Sequence, residues 1–215
     1  SFWHNTMTIT TTNINKMEGH YVHKGTQDNT NYIVTENEPY ENSSLTHRRS
    51  VFHANKEFFV LVDELYMKNP EEAYNTGKYN LNFNLCAPEN EITFDNSNSK
   101  AAHGIHTNYS DNNNIVIYTS SEDYDSSATF KSNVSNDHGV VNIENRLGYK
   151  ISLRKNKDRK TIRAITVIYP TSNPTGTTIN AEFTDGGYTG KAVAIKVTVN
   201  GTPYELSYTI PENNN

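Results

Sequence analysis

The sequence is short of several things, and each shortage excludes something. It has one cysteine in 215 residues, Cys86, so it forms no internal disulfide and no zinc site built on several thiolates. It is poor in apolar residues, at 34%, or about 39% with its 11 glycines, where soluble proteins run to roughly 45–50% with glycine counted. The expected core is therefore thin and the surface polar. No apolar run approaches the roughly 18 residues of a membrane span, and none is expected. Basic charge is not in excess. With 19 Lys and Arg against 24 Asp and Glu, the net charge is -5. That balance weighs against a dedicated nucleic-acid binder, which depends on a basic field. The opening Ser1-Phe2-Trp3-His4 has no initiator Met, no basic region and no apolar leader, so the chain is expected to be part of something longer.

Tyrosine is plentiful. Fourteen Tyr and 8 Phe argue for an ordered fold, because rings supply buried area that offsets ordering entropy. Apolar residues recur at every second position more often than every third or fourth. Tyr79, Leu81, Phe83 and Leu85 alternate with polar residues, as on one face of a half-buried strand. Val193, Ile195, Val197 and Val199 repeat the pattern and run into Asn200-Gly201, a strong hairpin signal. Tyr204, Leu206, Tyr208 and Ile210 form the return strand, with Pro203 marking a strand start or an edge. Phe58-Phe59-Val60-Leu61-Val62 is apolar on both faces and reads as a central strand covered from both sides, as does Ile162 to Tyr169. Weaker strands are expected near Met7–Thr11, Glu91–Phe94, Ile115–Thr119, Val140–Ile143 and Tyr149–Leu153. The one helical hint is Asn69 to Tyr74, a plausible cap and single turn. Many short strands punctuated by turn residues predict an all-β fold, an antiparallel β-sandwich, as one domain over 1–212 with a polar tail at 213–215.

The candidate chemistry is sparse. His20/His23 and His103/His106 have an H-x-x-H spacing, but positions i and i+3 of a strand face opposite ways, so neither pair is expected to chelate. No helix-borne H-E-x-x-H, no G-x-S-x-G and no glycine-rich phosphate loop is present. Cys86 reads as a small hydrophobe at a strand end. Asp63-Glu64 reads as a strand terminus rather than an acid/base pair. Arg146, Lys150, Arg154, Lys155, Lys157, Arg159, Lys160 and Arg163 make up 8 of the 19 basic residues. They are expected to form a charged hairpin tip, a solvated turn or a polyanion contact. In the second case Arg154, Lys157 and Arg159 would grip sulfate or carboxylate groups.

Three stretches together resemble the C-terminal part of the heparinase II/III-like polysaccharide lyases, most closely the heparin-sulfate (heparinase III) lyases of polysaccharide lyase family 12. They are His4-Asn5-Thr6-Met7-Thr8-Ile9; Leu45 to Phe52 followed by Phe58 to Glu64; and Ile165 to Pro170 with the closing hairpin at Asn200-Gly201. The resemblance runs in order from near residue 4 to near residue 210. It implies an N-terminal α-helical toroid as a partner within the same protein, with this chain as most of the β-sandwich region. It implies an acidic polysaccharide substrate cleaved by β-elimination at a uronic acid, and a periplasmic or secreted address. The family's catalytic Tyr and Asn come from the toroid, and its catalytic His from an H-x-x-x-D-N-G-like segment ahead of H-N-T. None of these segments occurs here, so no catalytic residue is carried over. Some relatives imply a structural divalent metal, for which His4 is the candidate ligand here without its partners. His47 and Arg48 are expected to be structural, with Arg48 or Arg49 pairing to Asp63 or Glu64. Three functions compete at this point: part of a glycosaminoglycan lyase that is inert alone, a module binding acidic glycans through the Arg154–Lys160 tip, and a purely structural domain.

Overall fold

A computed structural model describes residues 7–9, 18–38, 45–67, 78–95, 102–134, 143–154, 161–187 and 189–212. Across these residues the chain is almost entirely antiparallel strand, as alternating sequences with few helix formers require. The strands form three sheets rather than two. The largest has eight strands in the order β2 (Glu18–Gln27), β3 (Thr30–Glu38), β4 (Leu45–Ala54), β5 (Phe58–Met67), β12 (Thr161–Thr171), β9 (Asn114–Ser120), β8 (Ala102–Thr107) and β7 (Ile92–Asp95). A four-stranded sheet contains β1 (Met7–Ile9), β6 (Lys78–Pro88), β11 (Ile143–Arg154) and β10 (Tyr124–Val134), in that order. A three-stranded sheet holds β13 (Ile179–Phe183), β14 (Ala192–Val199) and β15 (Thr202–Thr209).

The large sheet is the middle layer, with a core on each face. One core gathers Val34, Phe52, Phe58, Val60, Val62, Ile165 and Val167 against Val193, Ile195, Val197 and Leu206 of the three-stranded sheet. The other gathers Leu65, Ile105, Ile117, Ile162 and Ala164 against Tyr79, Leu81, Phe83, Tyr149, Ile151 and Leu153 of the four-stranded sheet. This explains the strand patterns. An outer strand buries one face and alternates, as β6 and β14 do. A middle-layer strand buries both faces and reads as a continuous apolar run, as β12 does.

The predicted hairpin at Asn200-Gly201 is present, with both residues at positive φ (49° and 81°) between β14 and β15. Pro203 sits at the second position of β15. The turn at Asn55-Lys56 likewise has both residues at positive φ. Three expectations are corrected. Asp63-Glu64 does not end a strand but lies inside β5, whose buried apolar face continues through Leu65. Phe59 is 44% exposed, so β5 is covered on both sides only over part of its length. The strands that flank the basic segment, β11 and β12, do not pair as the expected hairpin, because β11 belongs to the four-stranded sheet and β12 to the large one. The physical reason is that β12 has two apolar faces and takes a central position, whereas β11 has one. Strands β2, β3, β4, β8, β10 and β13 are not among the expected ones, because Thr, Asn, Ser, His and charged residues mask their period. Asn69 to Tyr74 lies outside the described residues, as does the side chain of Cys86.

Leu81 is fully buried between the four-stranded and the large sheet. Leu81→Ala removes its methyl groups and leaves a cavity, and chemical denaturation should record a loss of about 2–5 kcal/mol.

Candidate functional site

The unusual chemistry of this chain is a set of charges held inside the middle sheet. Asp63 and Glu64 are consecutive on β5 and fully buried. Consecutive strand residues face opposite ways, so each carboxylate is delivered to a different inter-sheet space. Each must find its own cation there, because an unpaired buried charge is very costly.

On the side of the four-stranded sheet, Asp63 is met by Arg49 and His47 of β4. Arg49 Nε donates to Asp63 Oδ1 at 2.8 Å and its NH2 to Oδ2 at 3.1 Å. His47 Nε2 lies 2.6 Å from Oδ1. Burial alone would raise the Asp63 pKa. The Arg49 guanidinium and the His47 contact outweigh it and hold the carboxyl down at about 2.

On the side of the three-stranded sheet the register makes a ladder of alternating sign. Glu36 of β3 stands opposite Arg48 of β4, Arg48 opposite Glu64 of β5, and Glu64 opposite Arg163 of β12. Arg48 Nε donates to Glu36 Oε1 at 2.5 Å, and its NH1 donates to the Gly190 carbonyl at 2.6 Å. Tyr66 Oη also donates to Glu36 Oε1, at 2.8 Å. Arg163 Nε donates to Glu64 Oε1 at 2.9 Å. Its two terminal nitrogens grip Asp185 at 2.8 and 2.5 Å, and its guanidinium carbon lies 3.8 Å from the centre of the Phe183 ring. Glu64 Oε2 is buried without a hydrogen-bond partner. Burial therefore dominates at Glu64 and pushes its pKa up to about 7, against the pull of Arg163 and Arg48.

Of the expected pairings of Arg48 or Arg49 with Asp63 or Glu64, the hydrogen bonds show the one between Arg49 and Asp63. Arg49 binds Asp63 directly. Arg48 faces Glu64 across the ladder but spends its hydrogen bonds on Glu36 and the Gly190 carbonyl. The sequence reading counted Arg163 in a surface basic cluster. It is turned inward and fastens β12 to Asp185, just after β13. Arg154 ends β11, is 55% exposed in its side chain, and pairs with Asp125 at 3.2 Å. Lys157, Arg159 and His4 lie outside the described residues.

The histidine pairs behave differently from one another. His103 stacks on Tyr124 at 4.2 Å between ring centroids. His20 and His23 share a face, contrary to the expectation for positions i and i+3. A bulge between Tyr21 and His23 shifts the register, so His20 stands opposite Glu36 and His23 opposite Val34. They still have separate neighbours: His20 Nε2 lies 3.6 Å from Glu36, and His23 Nε2 lies 3.3 Å from Tyr32 Oη. Among the described residues no group of three His, Cys, Asp or Glu could hold a metal ion. Also among the described residues, no helix is long and apolar enough to cross a membrane. The charge ladder thus has its donors and acceptors turned on each other, and its geometry is that of a clasp between sheets.

Comparison with known proteins places the chain in a family. Residues 1–181 match the family described as Heparinase II/III-like, C-terminal. The chain belongs to that family. It is 39% identical over 210 residues to the heparin-sulfate lyase of Bacteroides thetaiotaomicron, covering 96% of this chain and 28% of that protein. It is 28% identical over 210 residues to the heparin-sulfate lyase of Bacteroides stercoris, covering 95% of this chain and 28% of the relative. The crystal structure of a heparinase III superposes with a TM-score of 0.80 at 36% identity, covering 96% of this chain and 29% of that one. The chain therefore spans under a third of the length of each of these relatives.

Two outcomes follow from the clasp. Asp63→Ala leaves Arg49 and His47 without their buried counter-charge, and urea denaturation should record a loss of about 3–5 kcal/mol. The two carboxylates also carry opposite pH signatures. The stabilisation from Asp63 is present above its ordinary value of 3.8 and is lost as pH falls toward about 2. The contribution from Glu64 is full below its ordinary 4.5 and is lost as pH rises through about 7. Glu64→Gln should abolish that second component, so that stability measured from pH 5 to 8 falls less in the variant than in the native protein.

Proposed function

We propose that this chain is the C-terminal β-sandwich part of a lyase acting on an acidic glycosaminoglycan of the heparan sulfate type, and that it has no lyase activity alone. The carrying observation is the 39% identity to a heparin-sulfate lyase over 96% of this chain. Matching only 28% of that relative, the chain corresponds to a minor part of such an enzyme. The chemistry in question is β-elimination. A base takes the C5 proton of a uronic acid, the C4–O bond breaks as a C4–C5 double bond forms, and an acid protonates the leaving oxygen. That sequence needs a poised base and donors aimed at the developing carboxylate dianion. Apart from Glu64 Oε2, the side-chain atoms of the buried pairs described above are turned on one another, which supports a scaffold role. The catalytic groups then belong to the rest of the intact protein, ahead of this chain. A periplasmic or secreted address is part of the same reading.

The decisive measurement is the ultraviolet absorbance of unsaturated uronate on heparan sulfate, for the intact protein and for this chain alone. Absorbance should rise with the intact protein only. A rise with the chain alone would overturn the scaffold role, and no rise with either would overturn the substrate class.

The alternative is a binding module that holds an acidic glycan through Arg154, Lys157 and Arg159. The exposure of Arg154 favours it, because a surface ion pair such as Arg154–Asp125 is worth at most about 1 kcal/mol and yields readily to a competing anion. On this reading, affinity for heparan sulfate falls steeply with salt, and joint charge reversal of the three residues abolishes it. An affinity unchanged by salt or by that variant would eliminate the module.

A further inference from the structure

Three rows of cross-strand partners run across the large sheet on the face that carries the four-stranded sheet. They are Tyr21–Thr35–Arg49–Asp63–Ala164, Lys24–Ile33–Val51–Leu61–Thr166, and Asn31–His53–Phe59–Ile168. Residues directly opposite one another share a face. At the β12 end these rows are covered: Ala164 and Thr166 are fully buried, and Ile168 packs on the core beneath the four-stranded sheet. Toward β2 the same rows come into the open. Tyr21 is 56% exposed, Phe59 44% and Ile33 42%, and among the described residues these are the exposed large hydrophobics. The His53 ring stacks on Phe59 at 4.7 Å. Val51 is half-buried between Ile33 and Leu61. The open face is thus continuous with a buried inter-sheet core.

The cover stops because four strands lie over eight. Tyr124 of β10 stacks on His103 of β8, and Tyr149 of β11 meets Phe94 of β7 at 5.6 Å. With the order β1-β6-β11-β10, β10 and β11 hold the β7–β8 side, which puts β1 at the edge toward the open face. Among the described residues β1 pairs with β6 alone, so its outer edge has no strand partner. An unpaired edge beside an uncovered apolar face is what one further strand satisfies on both counts.

We propose that the part of the intact protein preceding this C-terminal region docks here. An extended segment of it adds to the β1 edge and lays apolar side chains over Ile33, Val51, Phe59 and Tyr21. The proposal rests on the reading of this chain as the C-terminal part of a longer protein, which its span of 28% of the curated relatives supports. It goes further by naming the face, the edge and the residues covered.

The test uses the intact protein with Ile33→Cys, Phe59→Cys or, as an exposed control, Ser110→Cys. Maleimide labelling is resolved by site with mass spectrometry, so that Cys86 is read separately. Thiols placed at 33 and 59 should label at least about tenfold more slowly than the thiol at 110, as expected for sites reached only by local opening. Labelling as fast as at 110 would overturn the proposal. So would protection that disappears on dilution to a monomer confirmed by light scattering, because the cover would then be a second copy. Phe59→Asp should lower the melting temperature of the intact protein and Ser110→Asp should not; equal melting temperatures would count against the proposal. An intact protein without lyase activity in which positions 33 and 59 stay protected would overturn the substrate reading while upholding the docking face.

Discussion

Two consecutive carboxylates on a strand of the middle layer set the terms for much of this fold. Because Asp63 and Glu64 must point to opposite faces, one cation cannot serve both. The chain answers with Arg48 and Arg49, themselves consecutive on the neighbouring strand β4 and split between the two faces in the same way. A one-residue slip of β4 against β5 would break every one of these pairings, so the charges fix the register as firmly as the apolar residues do. The ladder then reaches outward. Arg163 connects β5 through β12 to Asp185, and Arg48 connects β4 to the Gly190 carbonyl. Both tie the middle layer to the three-stranded sheet at one end of the core.

This arrangement uses ionisable residues to hold the layers together. A catalytic group needs an unfilled valence facing substrate. Asp63, Arg49, Arg163 and Asp185 have theirs filled by each other. Their role is to hold the layers of this heparinase II/III-like C-terminal domain together.

Much of the architecture was legible in the sequence where one physical pattern dominated. Perfect alternation marked β6, β14 and β15, and an apolar run on both faces marked β12. The paired motifs His47-Arg48-Arg49 and Asp63-Glu64 were legible as partners, because charge opposition needs no long-range information. What escaped was non-local. Nothing in the period of β11 says that it leaves for another sheet. Nothing near His20 announces the bulge that turns it to the side of His23. Arg163 sits among seven other basic residues of the 143–163 region and looks like them. Only its place opposite Glu64 makes it different. Phe59 read as buried because its neighbours are, and its exposure depends on how far another sheet extends.

The position of β12 has a consequence for how the chain is made. It is synthesised after β2–β5 and after β7–β9, yet it lies between them and joins β5 to β9. Until residues 161–171 emerge, the large sheet exists as two halves, each ending in an open apolar edge. Folding must therefore close contacts across more than 90 residues of chain, since Ile168 pairs with Phe59. Long-range closures of this kind are slow and leave intermediates prone to aggregation. A ribosome that stalls before β12 would release a polypeptide with two unprotected sheet edges, and a chaperone able to shield such edges would act in that interval.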